Sequence, residues 1–156
     1  MLQIDLRGRV ALVTGATGEL GRVIARVLAE CGADVLVHYH RAEGVAERLV
    51  AEIAALGRRA SALSADVGDP AAVLRLRDRA RERLGDPSIV VLAAVQQIHP
   101  WRRVLDASVA DYESQHRTSV LHAVAVAQAF VPAMIERRYG RVIGVSSECA
   151  ALAEPH

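Results

Sequence analysis

Three glycines stand at regular spacing near the amino terminus, in the segment "TGATGELG" that follows an apolar run. These are Gly15, Gly18 and Gly21, and Thr14 comes directly before the first of them. Glycine lets the chain turn sharply and lets backbone N–H groups approach a ligand without a Cβ in between. Where such a turn opens a helix, the free N–H groups and the positive end of the helix dipole attract phosphate. The pattern therefore predicts a phosphate-binding turn, against the simpler alternative of a tight turn that binds nothing.

A second polar cluster, "HYHR", ends the next apolar run along the chain. In sheets that bind NAD, a carboxylate at this place accepts hydrogen bonds from the adenosine ribose. This chain has His40 and Arg41 there, and its next carboxylate is Glu43. A guanidinium can bind a 2′-phosphate through two parallel hydrogen bonds, so the pair favours NADP over NAD. The alternative is that His40 and Arg41 only decorate a surface loop.

Both clusters need a framework, and apolar runs alternate with helical patterns along the whole chain. Strands are predicted over 10–13, 35–39, 60–65, 89–95 and 141–146. Apolar residues at helical spacing separate them, over 21–31, 46–56, 71–84 and 111–137. This alternation is typical of right-handed βαβ units. We expect one α/β domain over residues 1–156, a doubly wound parallel sheet (Rossmann fold) of about five strands between two helix layers, incomplete at its C-terminal edge.

Two local expectations follow from the helical patterns. The first helix carries an apolar stripe that consists of Val23, Ile24, Val27 and Leu28. The last helix is unusually apolar in its second half, which indicates burial on more than one side, and Pro132 is expected to bend or end it.

Composition narrows the function classes. The chain has a net charge of +1, 52% hydrophobic and 3% aromatic residues, and contains neither lysine nor asparagine. A nearly neutral chain has no field that would draw it to nucleic acid or to a membrane surface. Its two cysteines, Cys31 and Cys149, have no metal-binding spacing, and no uninterrupted apolar run reaches the ~18 residues of a membrane span. We expect a soluble, cytoplasmic protein.

In this context "TGATGELG" resembles the glycine-rich turn of the short-chain dehydrogenase/reductase family, whose common form is TGxxxGxG. "HYHR" is similar to the same region of the pteridine-reductase-like branch, and ketoacyl-reductase-like members are also similar. Glu19 stands where that branch often has a basic residue, and an anion beside a pyrophosphate is unfavourable unless its carboxylate points away. The resemblance implies contacts with NADP from Thr14, Gly15, Thr17, Gly18, Glu19, Leu20, Gly21, His40, Arg41, Asp66, Val67, Ala93 and Ala94.

The resemblance also implies catalytic roles, with departures. "GRVIGVSS" is similar to the strand that carries the family's catalytic serine, here Ser147, and Ser119 stands where the long helix usually has an asparagine. "LAAV" over 92–95 replaces the usual NNAG. The family's Tyr-xxx-Lys pair lies further along than Ser147 and is absent from this sequence. The family's reaction is hydride transfer between a nicotinamide and a carbonyl or imine-like bond, and we expect a C-terminally truncated chain that is inactive alone.

Two other hypotheses about the function of this chain remain open. The departures at 92–95 and at Ser119 also fit a non-catalytic dinucleotide-binding or interaction module, and the chain could be a fragment with no function of its own. Because the last strand and the long helix are expected to be uncovered, a second copy or a partner chain could cover them. The small-molecule substrate is unknown.

Overall fold

The computed structural model describes residues 4–96, 103 and 105–146. Strands and helices alternate along this part of the chain, as the sequence predicts. Their bounds are β1 (Val10–Thr14), α1 (Glu19–Glu30), β2 (Asp34–Tyr39), α2 (Glu43–Ala55), β3 (Ala60–Ser64), α3 (Pro70–Arg83), β4 (Ile89–Leu92), α4 (Val109–His116), a π-helical segment (Arg117–Leu121), α5 (His122–Glu136) and β5 (Arg141–Gly144).

The strands form one five-stranded sheet in the order β3-β2-β1-β4-β5, and every neighbouring pair is parallel. Leu12 of β1 sits in register with Leu36 of β2 on one side and with Val90 of β4 on the other. The doubly wound parallel sheet predicted from the sequence is confirmed. The order reverses between β1 and β4, and in sheets of this type ligands bind at the carboxyl ends of the strands beside that reversal.

Each face of the sheet carries its own apolar core. Leu12, Leu36 and Val90 point to one face, where they pack against buried residues of α3 and α5. Alternate residues of the same strands, such as Val13 and Val37, point to the other face and pack against α1 and α2. Each fully buried Val or Leu side chain contributes about 1.5–3 kcal/mol relative to an exposed one. The two clusters confirm a three-layer arrangement.

Helix α1 packs against the sheet through small residues rather than through its valines. Its buried positions are Gly21, Ala25 and Ala29, whereas Val23 and Val27 of the predicted stripe are 51% and 48% exposed. Small side chains let the helix lie close to the sheet, and the bulkier valines then occupy its flank. The stripe is therefore only partly buried, since Ile24 and Leu28 pack against the core while Val23 and Val27 do not.

Helices α4 and α5 run on from each other through the π-helical segment, so the helix predicted over 111–137 is observed over Val109–Glu136. Pro132 lies inside α5, and the helix continues beyond it to Glu136. The expectation that Pro132 could end the helix is thus not met. Among the described residues, Val109–Glu136 is the one helical stretch long and apolar enough to cross a membrane by length and composition. A core helix of a soluble protein passes the same test, and α5 buries Val126 and Phe130 in the core.

Candidate functional site

The glycine-rich turn follows β1, and the loop after β4 lies beside it, at the reversal of strand order. Gly15 has a φ of +64°, a left-handed conformation that side chains rarely adopt. A Cβ on Gly15 would lie 2.7 Å from the Cα of Ala94 and 2.9 Å from its N. Gly15 is therefore required by its backbone conformation and by the close passage of the loop after β4.

Gly18 and Gly21 shape the entry into α1. Gly18 is the residue at the N-cap, no side chain caps the helix there, and its N–H donates to the carbonyl of Gly15 at 3.0 Å. A Cβ on Gly21 would collide with the Gly15 carbonyl and lie 2.9 Å from the Cα of Ala16. Gly21 is therefore required by the close approach of the turn that precedes α1. The first N–H groups of α1 are left available to an anion.

Thr14 binds the turn to the end of β4 through its hydroxyl. The Oγ1 atom accepts N–H bonds from Ala93 at 3.1 Å and Ala94 at 3.2 Å, and donates to the carbonyl of Val91 at 3.3 Å. Thr14 is fully buried, and these bonds use its one donor and both of its acceptor positions. Its side chain thus positions the loop after β4, where "LAAV" replaces the family's usual NNAG.

His38 is a site residue that the sequence interpretation missed. Its Nδ1 accepts the N–H of Gly15 at 3.0 Å, its backbone carbonyl accepts the N–H of Ala16 at 2.9 Å, and its Nε2 lies 3.1 Å from the carbonyl of Ala65. Since Nδ1 is the acceptor, the proton sits on Nε2 and is donated to Ala65. Burial lowers the pKa of His38 to about 4, so the ring is neutral near pH 7. A histidine within the apolar run "VLVHY" was the available signal.

The end of β2 presents His40 and Arg41 to solvent. Both residues are exposed, and in the described part of the chain no hydrogen bond or ion pair occupies the Arg41 guanidinium. The nearest carboxylate along the chain, Glu43, accepts a hydrogen bond from the Tyr39 hydroxyl at 3.2 Å. The chain thus offers a cation at this strand end, and its nearest carboxylate along the chain lies in the first turn of α2.

Glu19 begins α1 and points into solvent. Its side chain is 92% exposed and pairs with Arg22 at 2.8 Å across one turn of the helix. The neighbouring Leu20 is 52% exposed, and Thr17 is half-buried in the turn. The Glu19 carboxylate therefore lies in solvent and is paired with an arginine of its own helix.

The loop after β3 contains two further predicted NADP contacts, Asp66 and Val67. Asp66 is exposed, and its Oδ1 accepts the N–H of Gly68 at 2.8 Å. Val67 is 7% exposed and belongs to the core that faces α3 and α5. Asp66 therefore closes a local turn, and Val67 anchors that turn in the core.

The predicted catalytic positions are less fully described. Ser147 lies outside the described residues. Ser119 lies in the π-helical segment and is exposed, while the hydroxyl of the preceding Thr118 accepts the N–H of Gln96 at 3.2 Å. Short π-helical segments frequently occur at functional sites. His122 is 1% exposed and its Nδ1 lies 3.1 Å from the Thr118 carbonyl.

The fold and the glycine-rich turn define a dinucleotide-binding α/β protein. The profile of the short chain dehydrogenase family matches residues 9–156. The chain belongs to the short-chain dehydrogenase family.

Individual relatives agree with this family. The L-rhamnose 1-dehydrogenase (NAD(P)(+)) of Sphingomonas sp. (strain SKA58) is 35% identical over 94% of this chain and 57% of its own length. A short chain dehydrogenase from Burkholderia cenocepacia J2315, solved in complex with NADP, has a TM-score of 0.84 and 33% identity over 97% of this chain and 60% of its own.

A 7 alpha-hydroxysteroid dehydrogenase solved with NADH and 7-oxo glycochenodeoxycholic acid has a TM-score of 0.85 and 27% identity, over 96% of this chain and 57% of its own. This chain thus spans less than two thirds of the length of each relative.

Proposed function

We propose that these residues bind the phosphates and adenosine end of NADP(H), in a short-chain oxidoreductase that transfers hydride to a carbonyl or imine-like bond. The observation that carries the choice of NADP is Arg41, exposed and unpaired among the described residues at the end of β2. A guanidinium there can hold a 2′-phosphate, and His40 beside it adds a second donor.

The alternative cofactor, NAD, needs an acceptor for the ribose hydroxyls at the same strand end. Glu43 accepts from the Tyr39 hydroxyl at 3.2 Å, and Asp66 accepts from Gly68 at 2.8 Å. Glu43 begins α2 and Asp66 follows β3, so neither carboxylate stands at the end of β2 itself, which favours NADP. The relatives include proteins solved with NADP and with NADH, so the distinction must come from this chain's own residues.

For the hydride transfer, we propose that Ser147 donates a hydrogen bond to the substrate oxygen and that Ser119 holds a water molecule on the long helix. The nicotinamide supplies the hydride when bound, and the chain's part is to orient it. The sequence contains no lysine, so the lysine that the family pairs with its tyrosine cannot come from these residues. The reductase activity is proposed for a protein that also contains such a pair.

We further propose a soluble, cytoplasmic protein whose last strand and long helix are covered by a second copy or by a partner chain. Val142 and Ile143 of β5 are 43% and 47% exposed, and Val120 and Val124 on the long helix are 51% and 49% exposed. Apolar surface of this extent on an edge strand favours association.

Calorimetric titration with NADPH and NADH tests the choice of cofactor. We expect NADPH to bind more tightly, and Arg41→Ala to weaken NADPH by about tenfold or more while leaving NADH unchanged, since a charge-assisted bond contributes ~1.5–3 kcal/mol. Arg83→Ala is the matched control, because Arg83 is an exposed arginine at the far end of α3. Equal affinities for the two dinucleotides would remove the role of Arg41, and binding of neither would remove the proposal.

A further inference from the structure

We propose that His38 is a positioning residue for the cofactor-binding turn. Its imidazole holds the amide of Gly15 in the orientation that shapes the turn, and it can do so only as the neutral tautomer with the proton on Nε2. The inference rests on the proposed dinucleotide binding, because it assigns to His38 the geometry of the turn that would hold the phosphates.

His38 accepts hydrogen bonds from two amides of the turn. Its Nδ1 accepts from Gly15 at 3.0 Å and its carbonyl accepts from Ala16 at 2.9 Å, so one residue of β2 receives the first two N–H groups of the turn. Among the described residues the Gly15 N–H has no other acceptor. Without Nδ1 this amide must rotate or remain unsatisfied, which costs about 1–3 kcal/mol.

Gly15 is in turn bonded to the amide end of α1. The Gly15 carbonyl accepts the N–H of Gly18 at 3.0 Å, and a Cβ on Gly21 would collide with that carbonyl. The two faces of Gly15 are therefore held by different partners, His38 at its amide and the first turn of α1 at its carbonyl. A rotation about Gly15 moves the helix end relative to the sheet, and with it the N–H groups that face an anion.

The other ring nitrogen of His38 binds the segment that follows β3. Nε2 donates to the carbonyl of Ala65 at 3.1 Å, and the N–H of Ala65 donates back to the carbonyl of Tyr39 at 3.0 Å. The donated proton decides the tautomer and so leaves Nδ1 free to accept from Gly15. The same ring thus fixes the turn after β1 relative to the segment that leads into Asp66, two parts of the candidate site that are far apart in sequence.

Two substitutions separate the two bonds. The side-chain oxygen of Asn reaches close to the position of Nδ1, so His38→Asn keeps an acceptor for Gly15 and loses the bond to Ala65. The amide of Gln reaches close to the position of Nε2, so His38→Gln keeps a donor for Ala65 and loses the acceptor for Gly15. His116→Asn is the matched control, because His116 is an exposed histidine at the end of α4.

The measurements are the hydrogen exchange of the Gly15 amide in the free protein and the Kd for NADPH. For His38→Gln we expect Gly15 to exchange about tenfold faster or more, and the Kd to rise by about tenfold. We expect His38→Asn and His116→Asn to stay within about threefold of the parent in both. A merely structural role would move both His38 variants together, and that result, or an unchanged His38→Gln, would overturn the proposal.

Two measurements on the unaltered protein distinguish the role of His38 from an effect on folding and from a failure of dinucleotide binding. The ¹⁵N shifts of the His38 ring in the unaltered protein must show Nδ1 unprotonated and Nε2 protonated, and the opposite tautomer would overturn the proposal even where a variant fails to fold. If the unaltered protein binds neither NADPH nor NADH, the proposed function fails, while the Gly15 exchange still decides whether His38 holds the turn.

Discussion

Thr14 and Ala94 are joined by a hydrogen bond of 3.2 Å from the Ala94 N–H to the Thr14 Oγ1. The same oxygen accepts from Ala93 at 3.1 Å, and the hydroxyl is fully buried. A single side chain at the end of β1 therefore determines the path of the loop after β4, at the reversal of strand order where a dinucleotide is expected.

Replacing this hydroxyl tests its role. Thr14→Val keeps the shape of the side chain but leaves two N–H groups without an acceptor, so we expect the free energy of unfolding to fall by about 2–4 kcal/mol. Thr14→Ser keeps the hydroxyl and removes one methyl group, so a loss of about 1 kcal/mol is expected. Urea unfolding followed by circular dichroism measures both, and equal losses in the two variants would contradict the hydrogen-bonding role.

Gly15→Ala tests the close passage of the loop after β4. Gly57 has a φ of +74° and nothing within 4 Å of an added Cβ, whereas Gly15 has a φ of +64° and Ala94 at 2.7 Å. Gly57→Ala therefore reports the left-handed backbone alone, which costs about 1–2 kcal/mol. Gly15→Ala adds overpacking, and we expect a further loss of about 1–3 kcal/mol together with loss of NADPH binding. Unfolding and calorimetric titration are the measurements. A Gly15→Ala protein as stable as Gly57→Ala would show that the loop moves freely.

The stability of the protein should depend on pH through His38. Burial lowers the pKa of this ring from 6.5 to about 4, so the unfolded chain binds more protons than the folded one between these values. The stability that the neutral, buried His38 ring contributes to the folded protein is fully present above pH 6.5 and is lost as the pH falls toward 4. We expect His38 alone to remove about 2 kcal/mol between pH 7 and pH 5.

The comparison that isolates His38 is the same pH series on His38→Asn. Burial also lowers the pKa of His122, so a residual slope of the same sign is expected in the variant. The difference between the two proteins in the free energy of unfolding should narrow as the pH falls from 7 to 5. Parallel pH profiles would contradict a depressed pKa at His38.

Removing the charge of Glu19 should change stability and affinity in opposite directions. An anion in the first turn stabilises a helix by about 0.3–1 kcal/mol, so Glu19→Gln is expected to lower stability by that amount. The same charge opposes a phosphate at the helix end, so NADPH should bind about two- to fivefold more tightly. Glu30→Gln is the control at the other end of α1 and should leave the affinity unchanged. Titration at low and high salt measures the effect, and an unchanged Kd at low salt would show that the Glu19 charge is remote from the ligand.

Much of the framework could be predicted from the local pattern. All five strands and the intervening helices follow the apolar periodicity, and differences at their ends are small, as for β4, which ends at Leu92 rather than Val95. The sequence pattern gave no indication that Gly21, Ala25 and Ala29 form the buried side of α1, because these residues are only weakly apolar. The interruption of the long helix over Arg117–Leu121 left no recognisable signal in the apolar spacing.

The sequence by itself determined the order of strands and helices along the chain, the glycine-rich turn and the cation at the end of β2. Each of these features depends only on residues that are close together along the chain. Tertiary structure alone decided which distant residues meet. Thr14 bonds to Ala93 and Ala94 only because β1 and β4 are neighbours in the sheet. His38 reaches both Gly15 and Ala65 only because β2 lies between β1 and β3. Such contacts depend on sheet order and on which face a side chain takes, and periodicity within one segment contains neither.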